Sequence, residues 1–174
     1  DSDPMWVGDS IYFLSDREGG VELFVYDTKT EKVKRLTQVD LDIGSASAGP
    51  GGIVYERFGQ VFLLDPATGK SRIYRHAPGN SMTLGSDRIL SLYRDRSGVL
   101  WAGTEDGGLN RFDANTQTFT RYRHEPGDPD SLGSDAVLNI AESSDGSLWI
   151  ATLGGGLYVY KVIVRSEDGE EAAG

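Results

Sequence analysis

Apolar residues in this chain come in short blocks, cut by glycine and by brief polar turns, and nowhere recur at helical spacing over a useful length. The segment IYFLSDREGGVELFVYDTKTEKVKRLT (11–37) reads as an apolar strand, a glycine turn, a second apolar strand, an Asp-x-x-Thr turn and a third strand. IVYERFGQVFLLDPATGKSRIY (53–74) follows the same order with different residues. Runs such as Leu23-Phe24-Val25-Tyr26 and Leu100-Trp101-Ala102-Gly103 fit strands covered on both faces. The Asp-x-x-Thr element recurs at Asp27/Thr30, Asp65/Thr68 and Asp113/Thr116. An Asp or Thr side chain bonded to nearby backbone N–H groups fixes a tight hairpin there.

The second half of the chain repeats itself. SDRILSLYRDRSGVLWAGTEDGGLNRF (86–112) lies over SDAVLNIAESSDGSLWIATLGGGLYVY (134–160), with Leu100/Leu148, Trp101/Trp149, Thr104/Thr152 and the paired glycines Gly107-Gly108/Gly155-Gly156 in register. The loop ahead of it, RHAPGNSMTLGSD with His76, returns 48 residues later as RHEPGDPDSLGSD with His124. A loop that returns with its flanks marks a structural unit. Four units in 174 residues give roughly 43 each, the length of a four-stranded propeller blade. The expected fold is all-β: a β-propeller of four four-stranded blades at 4–38, 39–76, 86–124 and 134–166, with connections 77–85 and 125–133 and an acidic tail at 167–174. A sandwich or an open solenoid is the alternative. In the fourth blade KVIVRS (161–166) either extends the third strand or forms the fourth.

Composition narrows the function classes. The formal net charge of -10 argues against nucleic acid and anionic membrane surfaces as partners, leaving neutral or cationic ones. No cysteine is present, which excludes disulfides, thiolate metal sites and a cysteine nucleophile. No run reaches the length of a membrane span, so membrane insertion is not expected, and DSDPMWVGDS lacks the regions of a signal peptide.

Chemical motifs are few. ATGKS (67–71) is half of a phosphate-binding loop, but Leu64 stands where the full pattern needs glycine, and the segment lies between strands. His76 and His124 are read as repeat-consensus loop residues rather than metal ligands, so no metal and no cofactor are expected. Trp101 and Trp149, with Tyr12 at the corresponding place in the first unit, are expected to pack between blades; a platform for sugar rings would use the same residue type. DRSGVLW and SSDGSLW resemble the Asp-box hairpin of sialidase propellers, but the two spacings differ, which licenses a tight turn and no sialidase activity. No Gly-x-Ser-x-Gly elbow or paired carboxylates stand out, and no catalytic residue is assigned.

Two family resemblances meet in the chain. Residues 3–76, with DPMWVGDSIYFLSDREG and SASAGPGGIVYERFGQVFLLDPATGK, resemble propeller repeats of tricorn-type proteases. Residues 75–160, with NRFDANTQTFTRYRHEPGDPDSLGSDAVLNIAESSDGSLWIATLGGGL, resemble the two-component regulator propeller repeat of bacterial hybrid histidine kinases. The mixture is read as a recombined, engineered or metagenomic mosaic. The tricorn resemblance implies a propeller that guides peptides to a separate catalytic domain. The regulator resemblance implies bacterial periplasmic or extracytoplasmic sensing, with carbohydrate-type ligands.

From these readings the expected function is a non-catalytic binding or scaffold module, part of a bacterial sensor. The alternatives are the accessory propeller of a tricorn-like peptidase and an engineered repeat protein that only folds and assembles. In a propeller the loops joining second to third strands, and those joining blades, open on one face. That places Arg17, Arg57, Glu105 and Asp106 as the ligand-binding candidates, for a peptide or oligosaccharide. Ser45, Ala46, Ser47, Ser91 and Asn139 on inner strands would allow a narrow axis and a ring closed by one chain; self-association into an eight-bladed ring of two chains is the other solution.

Overall fold

The computed structural model describes residues 1–38, 42–49 and 52–160, which contain strands, turns and loops and no helix. Strands β1 (Ser2–Val7), β2 (Ser10–Ser15), β3 (Glu22–Asp27) and β4 (Lys32–Arg35) form the first sheet. β5 (Ser45–Gly49), β6 (Gly52–Arg57), β7 (Gln60–Asp65) and β8 (Lys70–Tyr74) form the second, and β9 (Ile89–Arg94), β10 (Leu100–Thr104), β11 (Leu109–Asp113) and β12 (Thr118–Tyr122) the third. The fourth sheet has three described strands, β13 (Val137–Glu142), β14 (Leu148–Thr152) and β15 (Gly156–Tyr160); the expected last strand at 161–166 lies outside the described residues. Every sheet is an antiparallel meander, each strand pairing with its neighbours in sequence.

The first strands of the sheets stand side by side in chain order, β1 on β5, β5 on β9 and β9 on β13. This is the radial arrangement of propeller blades, in which each sheet buries both faces against its neighbours. Three core clusters fill the seams. Leu14 and Leu23 meet Ile53, Tyr55, Phe62 and Leu64 between the first and second blades. Val54 and Val61 meet Leu92, Leu100, Ala102 and Phe112 between the second and third. Trp101 and Leu109 meet Val137, Ile140, Leu148 and Ile150 between the third and fourth. Successive residues of β6 and β10 therefore serve opposite seams, which is why their sequences carry no polar alternation. β1 and β13 share no comparable seam among the described residues, so these blades form an open arc.

The recurring loop is explained by its own bonds. The backbone N–H of His76 donates to Asp87 (2.8 Å) and that of His124 to Asp135 (2.7 Å). Each imidazole Nδ1 lies against a carbonyl oxygen, Leu84 at 2.7 Å and Leu132 at 2.6 Å, so both histidines tie their loop together. The glycine of each Leu-Gly-Ser-Asp crosses a second glycine of its own blade. A Cβ on Gly85 would lie 2.4 Å from the Gly107 carbonyl oxygen, and one on Gly133 would lie 2.7 Å from that of Gly155.

The Asp-x-x-Thr turns close as expected. Asp27 accepts from the N–H groups of Lys29 and Thr30 (2.9 and 2.8 Å), Asp65 from Ala67 (2.9 Å) and the Thr68 hydroxyl (2.7 Å), and Asp113 from Asn115 and Thr116 (2.8 and 3.2 Å). Hydrogen bonds to the ionised form, chiefly from the Thr30 N–H, the Thr68 hydroxyl and the Thr116 N–H, hold these three carboxyls below their ordinary range. The next residue is left-handed in all three turns: Glu31 at φ 55°, Gly69 at 70° and Gln117 at 59°.

One expectation about the tryptophans fails. Trp101 is fully buried in a seam, and Tyr12 packs in the seam between the first two blades, but Trp149 is 40% exposed. It occupies the same register on the far face of the fourth blade, which no further described blade covers.

Candidate functional site

The connections between second and third strands meet the connections between blades at one end of the arc. The Glu105 N–H donates to the Arg88 carbonyl (2.9 Å), Gly108 to Asp135 (3.0 Å) and Leu153 to Ala136 (2.8 Å). In the second blade the hairpin Arg57-Phe58-Gly59-Gln60 joins this end, where a Cβ on Gly59 would meet the Asp87 carbonyl at 2.3 Å. The loops are thereby held to a rigid frame, the usual setting for a recognition surface.

The four candidates do not form one cluster. Glu105 and Asp106 are brought together by Arg88, at 2.8 Å from each carboxylate. The Ser86 hydroxyl, and then the Arg88 guanidinium, hold the Asp106 carboxyl below its ordinary range. Arg123 reaches the Asp106 carbonyl (3.3 Å) and pairs with Asp135 (2.7 Å), extending the network toward the fourth blade. Arg17 turns away from it. Its guanidinium pairs with Asp1 (2.8 Å), bonds Ser15 (2.9 Å) and lies 5.1 Å over the rings of Phe13 and Phe24. Arg57 lies 5.7 Å over Phe62. Both arginines thus have local aromatic partners. Exposed ion pairs such as Arg88 with Glu105 contribute little stability, about 0–1 kcal/mol each, which leaves their side chains free to exchange partners.

Phe58 was not singled out from the sequence. It sits at the tip of the two-residue hairpin with φ 52°, followed by Gly59 at 71°, and is 73% exposed. A bulky side chain in the left-handed region is strained, and a turn of this type favours Asn, Asp or Gly. The signal available in Arg-Phe-Gly-Gln was an aromatic where hairpin chemistry asks for a small polar residue. Leu153, at the corresponding connection of the fourth blade, is also exposed, as are Leu90 and Leu138 on the inner strands β9 and β13. Among the described residues no group of three or more His, Asp or Glu side chains converges to hold a metal ion.

These features define a β-propeller repeat protein: radial antiparallel meanders, a recurring blade-to-blade loop, and apolar seams between sheets. Two of its units, residues 83–106 and 131–154, match the two component regulator propeller family. A 64-residue stretch is 38% identical to a tricorn protease homolog of Saccharolobus solfataricus, covering 36% of this chain and 6% of that protein. Among solved structures, the chain is similar to the extracellular domain of a one-component system from B. thetaiotaomicron (TM-score 0.52, 16% identity, 91% of this chain and 27% of that one). It is also similar to the WD40 β-propeller domain of Doa1 (TM-score 0.60, 12% identity, 91% of this chain and 50% of that one). The chain therefore spans a small part of its curated relative and up to half of these propellers.

Proposed function

We propose that this chain is a non-catalytic binding module, serving as part of the ligand-sensing propeller of a bacterial sensor. The observation that carries the reading is Phe58, an exposed aromatic kept in a strained conformation at the loop end, where the regulator repeats place their connections. Strain that persists against local preference points to a function for the residue held there. A neutral oligosaccharide or short neutral or cationic peptide fits an exposed aromatic flanked by exchangeable ion pairs on a chain of net charge -10. The 64-residue likeness to a tricorn protease homolog favours a second reading, an accessory propeller that guides peptides.

Thermal unfolding in the presence of neutral oligosaccharides and of short peptides tests both. A ligand at about 100 times its Kd stabilises the native state by about 2.7 kcal/mol. For a chain of this length that raises Tm by roughly 5–11 °C. Stabilisation by oligosaccharides, lost in Phe58→Ser, supports the sensor reading, and stabilisation by peptides alone supports the second. A ligand response that Phe58→Ser leaves unchanged removes Phe58 from the site. No response across both panels at millimolar concentration refutes both readings.

A further inference from the structure

The two end faces of the arc carry residues that interior seams bury. Trp101 and Leu109, 0% and 1% exposed, face the fourth blade and meet Leu148 and Ile150 there. Their counterparts on the far side of that blade, Trp149 and Leu157, are 40% and 61% exposed. Val159 joins them at the position where the third blade has Arg111, making this face more apolar than the buried one it copies. At the other end of the arc, Ile11 and Phe13 hold the register positions of Leu148 and Ile150. With Pro4, Tyr26 and Val33 they line a groove of about 330 Å³ on the face of the first blade turned away from the second.

Each end therefore presents half of a blade seam, and the halves are complementary: an indole and a leucine at one end, an aliphatic and aromatic pair in a groove at the other. Among the described residues one chain does not join them: β1 and β13 share no seam. We propose that a second copy of this chain covers both faces, with Trp149 and Leu157 of each copy packing on Ile11 and Phe13 of the other. The two seams are then identical and related by a two-fold axis along the ring, so the assembly closes and leaves no apolar face open. The arc overlays half the length of a WD40 propeller domain, so two arcs supply the blades of one ring. Each chain carries a net charge of -10, which opposes association, so the apolar faces must drive it and added salt strengthens it by screening.

Light scattering behind a sizing column, on the full chain over a wide concentration range and at low and high salt, tests the proposal. The expected mass is about 38 kDa, twice the 18.9 kDa of the chain, held or strengthened at high salt. Leu157→Glu and Val33→Lys alter exposed side chains, so folding is retained, and each alone is expected to shift the mass toward 19 kDa with unchanged circular dichroism. A monomer at every concentration overturns the proposal and assigns the faces to blades from another source. A concentration-dependent ladder overturns the closed ring in favour of an open filament. A dimer that survives both substitutions places the interface elsewhere, which also overturns it.

Discussion

Asp95 is the side chain whose removal tests most directly how the third blade is held. It is buried at the end of β9, and its carboxylate accepts three hydrogen bonds: from the Ser97 hydroxyl (2.6 Å), the Val99 N–H (2.8 Å) and the Trp101 indole N–H (2.9 Å). It thereby fixes the β9–β10 turn and the rotamer of the tryptophan that fills the seam to the fourth blade. In Asp95→Ala the Ser97 hydroxyl can turn to water, but the Val99 N–H and the buried Trp101 indole N–H both lose their bond to the carboxylate. An orphaned buried donor costs about 1–3 kcal/mol, and each bond to a charged group contributes about 1.5–3. Part of that sum is returned because the buried carboxylate no longer has to be desolvated. The net expectation is a loss of about 3 kcal/mol, or roughly 6–12 °C in Tm for a chain of this length. Chemical denaturation monitored by tryptophan fluorescence and circular dichroism reads it. Trp101→Phe removes the same indole–carboxylate bond, so the double variant should cost about 1–2 kcal/mol less than the two single losses added together. A single loss below about 1 kcal/mol, or strict additivity, would refute this account of the turn.

Other expectations follow from turn geometry and charge. Gly107→Ala places a Cβ 2.4 Å from the Gly85 backbone, which cannot move aside, and should cost about 3 kcal/mol by urea unfolding. Gly69→Ala meets no atom within 4 Å, so its cost of about 1–2 kcal/mol comes from φ 70° alone, and Glu31→Gly at the equivalent position should instead stabilise by about 0.5–1 kcal/mol. Five aspartates have lowered folded-state pKa values, Asp27, Asp65, Asp106, Asp113 and Asp145, the last brought to about 2 by the Ser143 hydroxyl and the Ser147 N–H. A depressed carboxyl stabilises the fold above its ordinary value of 3.8 and loses that contribution as pH falls through the folded value. Tm should therefore fall from about pH 4 downward, less steeply in Asp145→Asn; a Tm that stays level to about pH 2 would contradict these assignments.

The fold was legible because each blade writes its strands and turns locally. Asp27, Asp65 and Asp113 announce the same hairpin, and in β6 and β10 unbroken apolar runs announce burial on two faces. The loop around His76 was legible as a repeat, but its cause was not, since the Gly85–Gly107 crossing joins residues 22 apart in sequence. Of the candidate site, only the Glu105–Asp106 pair was placed together. Its organiser, Arg88, lies on another loop, and nothing local in the sequence marks it as their partner. Arg17 was chosen as a loop residue, yet the faces of Phe13 and Phe24 draw its guanidinium down onto the blade. Repeat periodicity predicts what recurs within a unit, whereas a binding surface is assembled from the places where units differ.

Trp101 and Trp149 put that distinction to a quantitative test. They hold the same register, Trp101 opposite Arg111 and Trp149 opposite Val159, in blades that share the histidine loop ahead of the first strand and the paired glycines after the second. Local sequence therefore gives them the same conformation, and only the next blade separates their surroundings. Burial against Leu148 and Ile150 makes Trp101→Ala a cavity-forming change with an expected cost of about 3–5 kcal/mol. Trp149→Ala removes a side chain that stays partly in water, so in the dissociated chain at low concentration it should cost about 1 kcal/mol or less. Under the proposed two-chain ring, the gap between the two variants should narrow as concentration rises, because Trp149 would then acquire the neighbour that Trp101 already has. Equal and large costs at every concentration would mean that the tryptophan acts within its own sheet, and that the seams are not what holds the blades together.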